Sequence, residues 1–460
     1  MINPPKKYNL LEIFTLSIFF ILLTYIFYFY SLGYSPLVVI ILTILYFKFF
    51  KKIENQPSLL HLCLLGSIIV FVCFFMVKFL SLSVYTIPAV GFSILITLLF
   101  DNVNLAIFFS FFISSLAVSF LDGNLSIGLG LFSGALVATK LSYRVYRRFD
   151  LIKAGILGGL VEAIVIILTK GNKIYFSFQD LKIFQYSLVS SFLSSVLVIG
   201  LLPIFEFIFG ALSNISLLEL FDFNRPLVKR LILEAPGTYQ HSLAVANLSE
   251  AAANAIGANP LLARVGAYYH DIGKLSKPNY FIENLVGYKD MHKNLKPSLS
   301  KLIILNHVKE GIELAKRYHL HPKIIDFIAQ HHGRSLVYFF YQKAKSQDSD
   351  IECMEEYRYP GPKPKTKEIA IVSLADAIEA FSRTLEDPTP SKIEELVREV
   401  IRKRLIEGEL NESNLTLKEL EEIAITFIRI LNAIFHTRIN YPKDEDRGFK
   451  STEEKKIKNQ

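Results

Sequence analysis

The chain is expected to be all-α: a polytopic helical membrane region followed by a soluble helical bundle. Three observations carry that expectation. Hydrophobic residues make up 52% of the 460 residues and mean hydropathy is +0.37, too apolar for an ordinary soluble enzyme. The apolar excess is confined to residues 9–210, whereas 211–460 is charged with helical periodicity. In that second half, histidines and aspartates recur on otherwise apolar helical stripes, above all in the run His270-Asp271-Ile272-Gly273-Lys274.

Eight apolar runs can be drawn in the first half, at 9–30, 35–50, 57–77, 81–100, 104–121, 124–141, 152–169 and 188–210. Several approach the roughly 20 residues that cross a bilayer as helix. The breaks between them fall at Gly33, Lys51-Lys52, Asp101-Asn102, Asp122-Gly123-Asn124, Arg144 to Arg148 and Gly171-Asn172. The net charge of +8 is unevenly placed: residues 1–210 carry +6 and the remainder only +2. This is a topology signal, with no footprint for a nucleic acid polymer on the soluble half. With eight crossings, Lys6-Lys7, Lys48 with Lys51-Lys52, and Arg144/Arg147/Arg148 with Lys153 share one side. The positive-inside rule makes that side cytoplasmic, with the amino terminus and the soluble half. The first run is too long for a cleaved signal and lacks a small-residue cleavage site. Glu162 and Glu206 lie within or near spans and are read as helix-packing or interfacial acids. The three cysteines, Cys63, Cys73 and Cys353, have no zinc-site spacing.

Residues 211–235 read as a juxtamembrane connector and 236–442 as the soluble domain. Five helices there each bring one part of a candidate site. Thr238–Ile256 carries His241 beside Ala244, Val245, Leu248 and Ala252. Leu261–Ile272 ends in His270 and Asp271, with Gly273 as a left-handed stop that leaves room for a phosphate. Leu299–Tyr318 carries His307, Lys323–His332 ends in His331 and His332 before Gly333, and Thr366–Leu385 carries Asp376. A charged or imidazole group on a buried stripe costs several kcal/mol unless paired or metal-bound. A lone stripe histidine is usually a hydrogen-bonded core residue, but five helices making the same exception point to a shared metal centre. Imidazole and carboxylate without thiolate suit Fe, Mn, Co or Zn. His270 and Asp271 side by side could serve two metals about 3.5–4 Å apart, an arrangement that recurs in phosphate ester hydrolysis. His61, His292, His319, His321 and His436 fit structural roles. Residues 343–368 read as a flexible charged loop, 391–440 as two closing helices, and 443–460 as a disordered charged tail.

These motifs resemble the seven-transmembrane HD phosphodiesterases, the PgpH-type cyclic-di-AMP hydrolases. The resemblance rests on Glu234-Ala-Pro-Gly-Thr-Tyr-Gln-His-Ser242, Ala263 to His270, Tyr280-Phe-Ile-Glu-Asn284, Asn306-His-Val-Lys309, Tyr359-Pro-Gly-Pro-Lys-Pro364 and Leu374-Ala-Asp-Ala377. It covers about residues 35–442. It implies one metal on His241, His270, Asp271 and Asp376, and a second on Asp271, His307, His331 and His332. Mn or Fe is the expected pair, and Asp271 bridges them. It implies hydrolysis of cyclic-di-AMP to the linear 5′-phosphorylated dinucleotide at the bacterial inner membrane. Lys274 is expected to act in catalysis on a phosphate oxygen, and Tyr239, Gln240 and Arg334 to contact substrate. A cyclic-di-GMP substrate, or a non-catalytic nucleotide receptor, is the alternative. The family's extracytoplasmic domain is expected to be missing between the first two apolar runs, which only Ser31–Ser35 separates. Partners expected are the substrate, the lipid bilayer and a second copy of the chain.

Overall fold

The computed structural model describes residues 59–119, 124–170, 177–285, 291–347 and 354–435. The first two apolar runs, the Ser31–Ser35 link and the charged tail lie outside them. Every regular element among the described residues is helical; the single β feature is an isolated bridge between Leu336 and Arg358. The chain divides into two compact units, Met1–Lys229 and Arg230–Gln460.

The first unit contains α1 (Leu59–Phe74), α2 (Ala89–Phe100), α3 (Val103–Ser119), α4 (Leu125–Ser142), α5 (Arg148–Thr169) and α6 (Phe178–Phe209), then the short α7 (Asn214–Leu220). Among the described residues, four stretches are long and apolar enough to cross a membrane: His61–Phe79, in which α1 runs on into a π-turn, and α4, α5 and α6. Val84–Phe100 and Val103–Ser119 are shorter apolar stretches.

Three boundaries differ from the apolar runs. The run 81–100 opens with a 3-10 turn, Val84–Thr86, and its helix starts only after Pro88, because a proline disfavours helical backbone in the residue before it. α5 starts at Arg148 and α6 at Phe178, upstream of the apolar residues 152 and 188. For α6 the cause is a capping box: Ser177 Oγ accepts from Asp180 N, and Asp180 Oδ2 accepts from Ser177 N at 2.7 Å. Hydrophobicity alone cannot see such a start. Small residues then let the helices approach closely. A Cβ on Gly159 of α5 would lie 2.7 Å from Ser191 Cβ of α6, and one on Gly134 of α4 would lie 2.8 Å from Glu162 Cβ of α5. Glu206 works as a packing acid: its two oxygens accept from Ser213 N at 2.8 Å and Ser216 Oγ at 2.6 Å, at the start of α7.

In the second unit, α14 (Lys367–Ser382) is the central rod, buried from Ile369 through Glu379. Packed on it are α9 (Pro236–Ala255), α10 (Pro260–Tyr269), α12 (Pro322–Gln330) and α15 (Pro390–Ile406), and α16 (Leu417–Ile434) closes the bundle against α9 and α15. α8 (Pro226–Glu234), α11 (Pro297–Arg317) and α13 (Tyr338–Gln347) complete the helices. The core they enclose includes Val245, Ala267, Phe327, Ile371, Val372, Ile378, Val397 and Phe427. The two closing helices expected in 391–440 are α15 and α16.

The segment expected to be a flexible loop is largely structured where it is described. α13 reaches Gln347, a 3-10 turn spans Met354–Tyr357, and Tyr357 and Tyr359 are buried. Lys365 N donates to Gln330 Oε1 at 3.0 Å, and Gly361–Pro362 is a cis peptide. Charge and proline content concealed two aromatic anchors.

Candidate metal centre

His241 projects from α9 with its ring buried. Its Nδ1 donates to Glu379 Oε2 at 2.6 Å, which leaves Nε2 as the bare nitrogen. Nε2 faces Asp376 Oδ1 at 3.1 Å and Asp271 Oδ2 at 3.6 Å. An acceptor turned toward two carboxylate oxygens needs a cation between them.

α10 ends at Tyr269, so His270 is its C-cap and Asp271 lies at the junction with a 3-10 turn, Ile272–Ser276. The expectation that the pair shares one continuous helix is corrected here. Asp271, at φ −109° and ψ 15°, leaves the helical path, and its carboxylate turns into the cluster. Gly273 is not left-handed either; it is absent from the positive-φ residues. Its requirement is steric: a Cβ there would lie 1.8 Å from the His307 carbonyl oxygen of α11. The space read as room for a phosphate is filled by a helix backbone. Gly333 does have a positive φ of 55°, but α12 already ends at Gln330 with His331 as its C-cap, so His332 lies in the turn and not in the expected helix Lys323–His332.

The structure brings all seven predicted ligand residues together. Asp271 Oδ2 lies 3.2 Å from His270 Nε2, while Asp271 Oδ1 lies 3.3 Å from His307 Nε2 and 3.7 Å from His331 Nε2. His332 Nδ1 stands 3.5 Å from Asp376 Oδ2. Two groups result, each able to hold a metal ion: His241, His270, Asp271 and Asp376, and Asp271, His307, His331 and His332. In each, the candidate ligand atoms lie within 4.8 Å of one another.

The donor set fits divalent metal on an observation independent of spacing. His270, His307 and His331 each donate Nδ1–H to a backbone carbonyl: Ala267 at 2.6 Å, Ile304 at 2.6 Å, and Phe327 and Ile328 at 3.0 Å. Each therefore presents a lone pair on Nε2, and all three Nε2 atoms are buried with no hydrogen-bond partner, as is Asp271 Oδ1. Buried polar atoms are rarely left unsatisfied, and here four converge on one point. Orientation of ligating imidazoles by such outer hydrogen bonds is the usual device of metal sites.

Electrostatics divides the histidines. Burial pushes His331 down to about 3, and His307 and His332 are also lowered by burial, so these rings are neutral and able to ligate a metal. Burial opposes charge on His270 as well, but without a metal the Asp271 and Asp376 carboxylates outweigh it and lift the imidazole to about 10, so its Nε2 lone pair holds a proton that a divalent ion would displace. The two carboxylates draw positive charge into the first group.

Lys274 is not a solvated helix end. Its Nζ sits 2.8 Å from Asp271 Oδ2 and 2.7 Å from Glu283 Oε1. Burial opposes its charge, yet the two carboxylates hold its ammonium above the ordinary lysine range. Tyr239 is half-buried, edge-on to Tyr268 with ring centroids 5.9 Å apart, while Gln240 and Arg334 are exposed. Arg334 lies 3.6 Å from Glu355.

Four residues of the surroundings escaped the sequence reading. Glu379 orients His241 and follows Asp376 at i+3, a spacing that puts both on one helix face. Glu283 pairs with Lys274. Tyr359 stacks on His332, ring centroids 4.1 Å apart. Glu409 accepts from Arg334 N at 2.8 Å, bracing the turn after His332; nothing in its local sequence signals that.

Residues 27–213 match the family described as 7TM receptor with intracellular HD hydrolase, and residues 238–380 match the HD domain. The chain is similar to "Cyclic-di-AMP phosphodiesterase PgpH" of Bacillus subtilis (strain 168), 52% identical over 255 residues, covering 55% of this chain and 36% of that protein. It is similar to the protein of the same name in Listeria monocytogenes serotype 1/2a (strain 10403S), 43% identical over 319 residues, covering 69% of this chain and 44% of the relative. The chain thus spans well under half the length of these curated relatives. A crystal structure of the L. monocytogenes PgpH HD domain in complex with cyclic-di-AMP is 47% identical, covers 47% of this chain and 100% of that one, and has a TM-score of 0.45. Residues 27–213 of this chain are thus similar to the family described as 7TM receptor with intracellular HD hydrolase, and residues 238–380 to the HD domain.

Proposed function

We propose that this chain is a membrane-anchored, metal-dependent phosphodiesterase that opens cyclic-di-AMP to its linear 5′-phosphorylated dinucleotide. The observation that carries the reading is Asp271, whose Oδ2 faces His241 and His270 while its Oδ1 faces His307 and His331. One carboxylate divided between two ligand groups suits a pair of Mn or Fe ions. Bound divalent metal supplies Lewis-acid polarisation of the phosphoryl oxygens and brings water to nucleophilic strength near neutral pH. The substrate assignment draws its support from the curated relatives, both of which carry the cyclic-di-AMP phosphodiesterase name.

Each residue has a distinct task in this reading. His241, His270 and Asp376 hold one ion, His307, His331 and His332 the other, and Asp271 ties them together. Lys274 fixes Asp271 Oδ2 and adds positive charge where the transferred phosphoryl group gains negative charge. Tyr239, Gln240 and Arg334 are assigned to nucleotide contact. The basic clusters support an amino terminus and an HD domain on the cytoplasmic face of the inner membrane, and homo-oligomerisation is part of the proposal.

The test uses the full chain in detergent with Mn²⁺, offered cyclic-di-AMP and cyclic-di-GMP in parallel, with products separated by chromatography. The reading expects the linear adenine dinucleotide to form faster. Faster cleavage of cyclic-di-GMP would overturn the substrate, and cleavage of neither by metal-loaded protein would favour a receptor.

A further inference from the structure

Glu162 is a buried acid that the metal centre does not use. It lies in the middle of α5, one of the helices long and apolar enough to cross a membrane, and is only 1% exposed. Its Oε1 has no hydrogen-bond partner, and its Oε2 stands 3.5 Å from Ser191 Oγ of α6. Ser187, one turn before Ser191, is the other hydroxyl turned to it; it is fully buried, and its Oγ lies beyond close hydrogen-bond distance of any partner.

Among the described residues, the groups that face Glu162 are neutral. α4 presents Gly134 to its Cβ and Gly130 to its backbone oxygen. α6 presents the two serines, and α2 reaches the same face of α5 with Val90 against Gly158. None of these titrates. The other charged residues of the same helices, Lys140, Arg148, Asp150, Lys153, Asp180, Lys182 and Glu206, lie toward helix ends. Among the described residues, no lysine, arginine or histidine forms an ion pair with Glu162. Glu206, a buried acid of α6, differs in accepting two hydrogen bonds at 2.6–2.8 Å.

An ionised carboxylate in low dielectric is tolerated only with a countercharge or several donors. Two long-range serine hydroxyls, Ser191 at 3.5 Å and Ser187 beside it, supply no countercharge and no close donor. A carboxylic acid, by contrast, carries its own donor and leaves no net charge.

We infer that Glu162, with Ser187 and Ser191, is a proton-binding site inside the membrane unit: the folded protein carries one proton there, and its removal loosens the α4–α5–α6 contact. The inference rests on the reading of this unit as bilayer-embedded, since low dielectric is its premise. The proton has no other buried acceptor beside it among the described side chains, so release requires water to enter between α5 and α6.

The test is infrared difference spectroscopy of the full chain in phosphatidylcholine–phosphatidylglycerol nanodiscs. At neutral pH the expected result is a protonated-carboxyl carbonyl band that shifts in heavy water, is absent from Glu162→Gln and persists in Glu206→Gln. Thermal unfolding gives a second readout. Glu162→Gln, a neutral isostere, should melt with the parent near neutral pH and above it at alkaline pH, where the parent must ionise. Lack of the band, or a fall in melting temperature for Glu162→Gln at neutral pH, would overturn the inference. So would a carboxylate signal that responds to sodium at fixed pH, which would mark a metal-cation site. Vesicle flotation separates the two premises: a chain that does not float fails the membrane reading, whereas one that floats with Glu162 ionised fails this proposal alone.

Discussion

Glu379 Oε2 stands 2.6 Å from His241 Nδ1, and that contact decides which nitrogen of His241 the cluster receives. α14 thus supplies one carboxylate, Asp376, to the cluster and a second, one turn later, to the back of a ligating imidazole. Loss of such an outer partner lowers metal affinity about 10–100-fold in comparable sites. Glu379→Ala should do so in a calorimetric titration with Mn²⁺, and Glu379→Gln, which keeps an acceptor oxygen, should lose less. Equal affinity in parent and Glu379→Ala would show that His241 is oriented by something else.

Gly273 gives a steric prediction. Its missing side chain lets the 3-10 turn touch the carbonyl of His307, and a methyl group placed there would lie 1.8 Å from that oxygen. Gly273→Ala must push α11 away and should destabilise the protein by about 3 kcal/mol. It should also lower bound metal, because the retreat carries His307 from Asp271. A melting temperature and metal content both equal to the parent's would refute the close contact.

Glu409 lies beyond the matched HD domain yet accepts from Arg334 N at 2.8 Å, and its Oε2 would lie 2.1 Å from a Cβ on Gly333. The buried carboxylate supports the left-handed turn that ends the His331–His332 segment. Glu409→Ala should cost about 2 kcal/mol through the unsatisfied amide, with weaker metal binding as His332 is freed. Glu409→Gln should restore most of both. Failure of glutamine to rescue would point to the charge, not the hydrogen bond.

Glu419 offers a pH dependence away from the metal residues. Burial opposes its ionisation, but Lys367 Nζ at 2.6 Å and the Thr416 amide outweigh that and hold its carboxyl below the ordinary 4.5. A lowered folded value means that the ionised form stabilises the fold above 4.5 and that this contribution is lost as pH falls through the lowered value. Glu419→Gln should therefore melt below the parent at neutral pH, by about 1 kcal/mol for this capping box. The gap should stay constant down to about 4.5 and close in stronger acid. A gap that widens with acid would reverse the sign and discard the explanation.

Helix content and the seven clustered residues were legible because burial of histidine and aspartate on apolar stripes is a costly pattern with few remedies. The stripes of His241, His307 and Asp376 show it most directly. Local geometry was less legible. The end of α10 at Tyr269 is set by contact with α11, and Gly273 looks the same in sequence whether it permits a positive φ or a close approach. Ser177 and Asp180 start α6 ten residues before its apolar run, a signal carried by capping, not hydropathy. Glu379 could have been found from its i+3 spacing to Asp376, but Glu409 could not, since only the folded bundle brings it to Arg334.

The central claim is that Asp271 joins two metal-binding groups into one hydrolytic centre. The most direct measurement is elemental analysis of metal, taken with cyclic-di-AMP turnover, on the full chain and on Asp271→Ala purified in parallel. The account predicts two metal ions per parent chain, with loss of bound metal and of turnover in the variant while helix content is retained. Full turnover with undiminished metal in Asp271→Ala would contradict it.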